Sequence, residues 1–131
     1  MKQDSATVAR ATYHAYVRKD RKGLEALIAD DFHFSSPIDN RLDRAAYFEL
    51  CWPNSDAIAD FEIVHLVTEG DRVFATYVGK RKDGSRFRNT EVLTVRGGQL
   101  CEVEVYFGWS VPHPAAAGTH LDDTASPTKH P

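Results

Sequence analysis

The chain has 131 residues, 42% hydrophobic and 27% charged, with a net charge of −3 and two cysteines. That length suits one domain with a single core, and the slight acidity leaves no basic footprint for nucleic acid. No apolar run is long enough to span a bilayer and no signal peptide opens the chain, so a cytoplasmic protein without membrane or nucleic-acid partners is expected.

Asp4 and Ser5 are N-cap candidates for a helix running to about Arg18. Val8, Thr12, Ala15, Tyr16 and Lys19 form its stripe, widened by Ala11, Tyr13 and Val17. Lys19-Asp20 breaks the pattern, and a second short helix carries Leu24, Leu27 and Ile28 until Asp30-Asp31 ends it. Phe32 to Ser36 predicts a short strand stopped by Pro37. Ile38 to Leu42 predicts a loop, and Asp43 can cap a third helix from Arg44 to Trp52, halted by Pro53-Asn54.

Three strand runs follow, Phe61 to Thr68, Arg72 to Lys80 and Arg86 to Arg96. The separators Gly70-Asp71 and Asp83-Gly84 are two-residue hairpin signals. Cys101 to Trp109 completes a four-stranded antiparallel meander, extended by the short strand at Phe34. Helices first and sheet afterwards give an α+β domain over residues 1–111, with three N-terminal helices covering the concave face of a curved sheet. Residues 112–131 have no period and are expected to form a disordered tail. Cys51 and Cys101 lie in apolar surroundings and read as reduced core residues.

The last hairpin is the most informative stretch. Phe87, Asn89, Glu91, Leu93 and Val95 share one face by alternation, and Val103, Val105, Phe107 and Trp109 make the apolar face of the partner strand. A three-residue loop (Gly97, Gly98, Gln99) pairs Leu93 with Val103 and Glu91 with Val105. The reverse face then brings Arg88 and Arg96 near Glu102 and Glu104. Asn89 and Glu91 are left pointing at the core, where a carboxylate needs a partner or a purpose because its desolvation is costly.

Turn lengths predict the rest of the row. Gly70-Asp71 sets His65 opposite Thr76, and Asp83-Gly84 sets Thr76 opposite Glu91 and Val78 opposite Asn89. With strands about 4.8 Å apart, His65 and Glu91 could approach over Thr76. An apolar face with a few convergent polar groups has the composition of a small-molecule site.

Several features resemble the SnoaL-like branch of the nuclear transport factor 2-like superfamily, the cystatin-like cone shared with ketosteroid isomerases. They are Tyr13 to Asp20, Gly23 to Phe32, Ser36-Pro37, Asn89-Thr-Glu91 and Val103 to Phe107. The resemblance covers residues 5 to 110 and implies helices packed on a strongly bent sheet, an open-ended pocket between them, and a homodimer through the outer sheet face. The isomerases place an aspartate base where this chain has Ser36, and by spacing their oxyanion-binding tyrosine falls near Thr12. Only the acid on the penultimate strand survives, as Glu91. The epoxide hydrolases of this fold use an Asp–Arg–Asp arrangement, and no Arg lies on the predicted inner face.

Glu91 is thus the candidate acid or base, or else a structural acceptor bonded to Tyr16, Thr12 or Asn89. His65 is a candidate proton shuttle or a satisfied rim residue. Tyr16 and Thr12, one helical turn apart, can both reach a cavity. Asn89, Ser36 and Thr76 are candidate polar contacts. Phe34, Trp52 and Phe107, with Phe48 and Phe74, serve as pocket lining or core. Val92, Thr90, Val73 and Tyr77 are expected on the outer face. His14 and His33 are expected to face solvent, and the histidines at 113, 120 and 130 match no usual metal spacing. The expected ligand is a largely apolar molecule with a carbonyl or hydroxyl group. If the protein is an enzyme, its chemistry is cofactor-independent isomerisation, cyclisation or dehydration; if not, it is a dimeric binding module.

Overall fold

The computed structural model describes residues 4–121. Helix α1 (Ser5–Arg18) is capped by Asp4, whose carboxylate accepts the Thr7 N–H, and ends at Lys19 in the left-handed region. Asp20 caps α2 (Arg21–Leu27) through the Gly23 N–H. Strand β1 (Ile28–Ser36) starts directly at the helix end, so Asp30-Asp31 lies within a strand and does not terminate the helix. The expected loop at Ile38 to Leu42 is instead largely strand β2 (Asp39–Asp43), paired antiparallel with β1. Its short polar sequence lacks the apolar alternation that marks strands. Asp43 caps α3 (Arg44–Leu50) as expected, and the helix stops short of Trp52, which opens a 3₁₀ turn over Trp52–Ala57.

Strands β3 (Ile58–Glu69), β4 (Arg72–Arg81), β5 (Arg86–Arg96) and β6 (Gln99–Val111) form the meander. The whole sheet runs β2-β1-β6-β5-β4-β3, with β1 parallel to β6. Phe32, Leu24, Ile28, Leu93, Leu100, Val8 and Val73 are almost wholly buried between the helices and the strongly curved sheet. Among the described residues no helix is long and apolar enough to cross a membrane. Of the expected tail, residues 112–121 carry neither helix nor strand, and the remainder lies outside the described residues. Neither cysteine is in a disulfide; Cys51 is buried and Cys101 half-buried.

Register decides which side chains meet. Glu91 pairs with Val105 and Leu93 with Val103, as expected, but by another route. The turn is the two-residue Gly97-Gly98, both at positive φ, and the missing residue is restored by a bulge in β6 between its Leu100 and Glu102 positions. The β4–β5 connection is longer than its Asp83-Gly84 signal. Asp83 Oδ1 accepts both the Ser85 N–H (2.9 Å) and the Ser85 hydroxyl (2.6 Å), drawing Ser85 into the turn. Lys80 therefore pairs with Arg86, Ala75 with Glu91 and Tyr77 with Asn89.

This one-residue shift turns β4 over. Val73, Ala75 and Tyr77 face the core, while Phe74, Thr76 and Val78 face outward. Val73 and Tyr77 thus leave the outer face on which they were expected, and Phe74, 37% exposed, leaves the core. The reverse-face ion pairs also differ. Arg96 reaches Asp31 at 2.6 Å, Glu102 meets Arg41 at 3.6 Å, and the Arg88 guanidinium lies over the Trp109 ring. A second bulge in β6, opposite Arg88, carries Trp109 off the apolar face and leaves it 47% exposed.

Candidate functional site

Glu91 and Asn89 project from β5 into the hollow beneath α1 and α3, two residues apart and so on one face. Opposite Glu91 on β4 stands Ala75, whose small side chain leaves room for larger neighbours. Tyr77, opposite Asn89, fills it diagonally, and its hydroxyl donates to Glu91 Oε2 at 2.6 Å. From α1, the Tyr13 hydroxyl donates to Glu91 Oε1 at 3.1 Å. The Asn89 amide donates to the Tyr77 oxygen at 3.3 Å, and the Gly108 N–H, turned inward by the second β6 bulge, donates to Asn89 Oδ1 at 3.3 Å. Tyr13, Tyr77 and Phe61 pack ring against ring around this chain of donors, with centroids 5.0–5.5 Å apart.

Burial pushes the Glu91 carboxyl above its usual range, opposed by the hydrogen bonds from Tyr77 and Tyr13. Burial, followed by the Glu91 charge, raises both phenols well above theirs, so they remain neutral donors. Glu91 itself is only half-buried by area, because part of its carboxylate looks into the cavity. A carboxyl in this setting keeps its proton to higher pH than a solvated one, while two fixed phenols steady its charged form.

The cavity holds about 180 Å³, and its lining runs from Glu91 to Ser36 and Asp39 of the β1–β2 hairpin and Leu50 of α3. Away from Glu91 the wall carries a second polar group. Asp39 accepts the Ser36 hydroxyl at 2.7 Å, beside Cys51, whose thiol is pushed up to about 12 by burial and by the Asp39 charge. Tyr16 and Thr12 both reach the wall with their hydroxyls already engaged, Tyr16 to the Cys51 carbonyl (3.0 Å) and Thr12 to the Val8 carbonyl (2.9 Å). Neither touches Glu91 by a hydrogen bond. Phe34, Phe107 and Ser36 line the cavity as expected.

Three expected site residues do not line it. His65 still pairs with Thr76, but both lie on the outer face, where His65 is exposed and Thr76 shares a 2.8 Å hydrogen bond with Thr90. Trp52 stands behind the wall, its ring against Tyr16 and Phe48. Sequence reasoning missed Tyr13, Tyr77, Asp39 and Tyr47. The Asp83-x-Ser85 spacing was an available signal for Tyr77, since it favours the longer turn that faces Tyr77 inward. Tyr47 is 7% exposed, lines the cavity from α3, and makes no hydrogen bond through its hydroxyl with any described residue. No Lys, Arg or His is among the described lining residues, and no metal-binding cluster of His, Cys, Asp or Glu occurs among the described residues.

Comparison with known proteins matches residues 9–103 to the family described as a SnoaL-like domain. No curated protein matches significantly. Similar solved structures include a candidate ketosteroid isomerase from Kribbella flavida, 16% identical, covering 90% of this chain and 87% of that one with a TM-score of 0.70. IdmH, a candidate polyketide cyclase from Streptomyces antibioticus, is 20% identical over 79% of this chain and 91% of its own, with a TM-score of 0.65. An LEH-like epoxide hydrolase of M. tuberculosis is 18% identical over 79% and 82%, with a TM-score of 0.66. At these identities the likeness is one of fold.

Proposed function

The chain belongs to the SnoaL-like domain family, and we propose that it is a small-molecule pocket protein whose largely apolar ligand seats beneath the helices, with Glu91 as the acid/base group. One observation carries this reading: a carboxylate with a raised pKa, held by two phenols, looks into a cavity walled mainly by rings and aliphatic side chains. Such a group is placed to exchange a proton with a bound molecule. The favoured chemistry is cofactor-independent proton transfer of isomerase, cyclase or dehydratase type. Asn89 positions Tyr77, and Tyr77 and Tyr13 position Glu91.

The test is the pH profile of ligand binding or turnover for the wild type and Glu91→Gln. The wild-type profile should carry one ionisation above the usual carboxylate range that disappears in the variant; an unchanged profile removes Glu91 from the chemistry. Native mass spectrometry of protein taken from cell extract supplies the ligand mass and the oligomeric state together.

A second reading, a non-catalytic dimeric module, is favoured by the outer sheet face. There Val67 pairs with Phe74 and Phe74 with Val92, a cross-strand apolar row in which Val67 is 60% exposed. A self-complementary patch of this kind suits an isologous dimer. Sedimentation of Phe74→Lys against the wild type tests it, with dissociation expected and an unchanged monomer in both refuting it.

A further inference from the structure

Among the described residues that line the cavity, one hydroxyl donates to no protein acceptor. Thr12, Tyr13, Tyr16, Ser36 and Tyr77 each give their proton to a protein acceptor at 2.6–3.1 Å. Tyr47 does not. Its side chain is more than nine-tenths buried, its ring packs against Phe32, Phe34 and Phe48, and its hydroxyl has no hydrogen-bond partner among the described residues. No described side chain nitrogen or oxygen is both sealed from space and unpartnered, so the Tyr47 oxygen opens onto the cavity it lines. A polar group facing a cavity takes its partner from whatever fills that cavity.

The ring contacts restrict the directions open to the hydroxyl. Phe32 and Phe34 from β1 and Phe48 from α3 itself fix the ring on its apolar sides. Tyr16, Cys51 and Glu91 line the same hollow. A ligand seated against Glu91 therefore meets the Tyr47 hydroxyl as the uncommitted phenol donor of the described wall. The charge of the wall limits that ligand further. Its ionisable described groups are carboxylates, phenols and a thiol, all neutral or negative, so an anionic ligand would enter without a counter-charge.

We propose that Tyr47 is the ligand-binding donor of the cavity, holding the oxygen of an uncharged carbonyl compound whose remaining surface packs on the aromatic wall. This rests on the reading of the cavity as a ligand site and adds the ligand's charge class and the residue that recognises it. Tyr47 is a specificity residue in this role; the proton-exchanging group remains Glu91.

Three one-ring probes of similar size separate the possibilities: acetophenone, ethylbenzene and benzoate, titrated calorimetrically into the wild type and Tyr47→Phe. A cavity of about 180 Å³ accommodates one ring, since engineered apolar cavities of about 150 Å³ hold benzene. In the wild type, acetophenone should bind more tightly than ethylbenzene, and benzoate at least about tenfold more weakly than acetophenone. Tyr47→Phe should weaken acetophenone about fivefold, the effect of one neutral hydrogen bond, and leave ethylbenzene unchanged. Its melting temperature should hold or rise, because no internal hydrogen bond is lost. A fall in melting temperature, an unaltered ratio of acetophenone to ethylbenzene, or preferential binding of benzoate each overturns the proposal. If Glu91→Gln alters acetophenone binding and Tyr47→Phe does not, the cavity reading survives and the role of Tyr47 fails. If no probe binds, both fall.

Discussion

Tyr77→Phe is the sharpest test of the arrangement around Glu91. The substitution keeps the ring, so the contacts with Tyr13 and Phe61 at 5.4 and 5.0 Å persist and little apolar burial changes. What goes is a hydroxyl 2.6 Å from Glu91 Oε2, a distance in the range of charge-assisted hydrogen bonds. Such a bond contributes about 1.5–3 kcal/mol net. The Asn89 amide also loses its acceptor, in a buried side chain, which places the expected cost near the upper end, about 3 kcal/mol. Tyr13→Phe removes a longer bond of 3.1 Å with no second partner behind it, and its expected cost is about 1 kcal/mol. Urea unfolding at neutral pH measures both, with unchanged m-values identifying the loss as one of stability.

The same reasoning predicts coupling. In a Glu91→Gln background the charge is gone, so Tyr77→Phe should cost about 1 kcal/mol less than in the wild type. Removing the Tyr77 donor also removes the largest influence that lowers the Glu91 pKa, which should then climb further in an NMR titration. Costs below about 0.5 kcal/mol for both phenylalanine variants, equal in the two backgrounds, would refute the idea that tyrosines hold this carboxylate, since that is the range of surface substitutions.

Other outcomes follow from single features. Glu91 has a folded pKa raised above its ordinary 4.5, so the protonated form stabilises the fold and that contribution is lost as pH rises through the folded value. Glu91→Gln should therefore match the wild type in melting temperature near pH 4 and exceed it increasingly towards pH 8; a pH-independent difference would contradict the sign. At Gly108 an added Cβ would collide with the Arg88 carbonyl, so Gly108→Ala should cost about 1–3 kcal/mol in chemical unfolding and disturb the Asn89 amide resonance. Asp43→Ala deletes the cap on the helix that carries Tyr47 and should lower stability by about 1 kcal/mol, whereas Asp43→Asn should restore most of it.

How much of this site could be read in the chain depended on whether the governing interaction was local. Helix starts at Asp4, Asp20 and Asp43 are each set by a side chain reaching three residues ahead, and the residue types at those positions signal them. The inward face of β5 was legible because Leu93 and Val95 demand burial and carry Glu91 and Asn89 with them, whatever the turn does. The face of β4 was not, because Val73-Ala75-Tyr77 and Phe74-Thr76-Val78 are both acceptable apolar alternations. Two hydrogen bonds in the turn, donated by the Ser85 N–H and hydroxyl to the Asp83 carboxylate, go with the longer connection that exchanges Thr76 for Tyr77 beside Glu91. The polar partners of the carboxylate come from α1 and β4, 78 and 14 residues away, and no local pattern encodes such meetings. An acid on a buried face thus announces that partners exist, while their identity is settled only when turn length fixes the neighbouring strand. In this chain the β4–β5 turn therefore goes with the polar partner that the interior carboxylate meets. Ser85→Gly, which removes the hydroxyl that Asp83 holds, should loosen the Tyr77–Glu91 contact some distance away without touching the cavity wall.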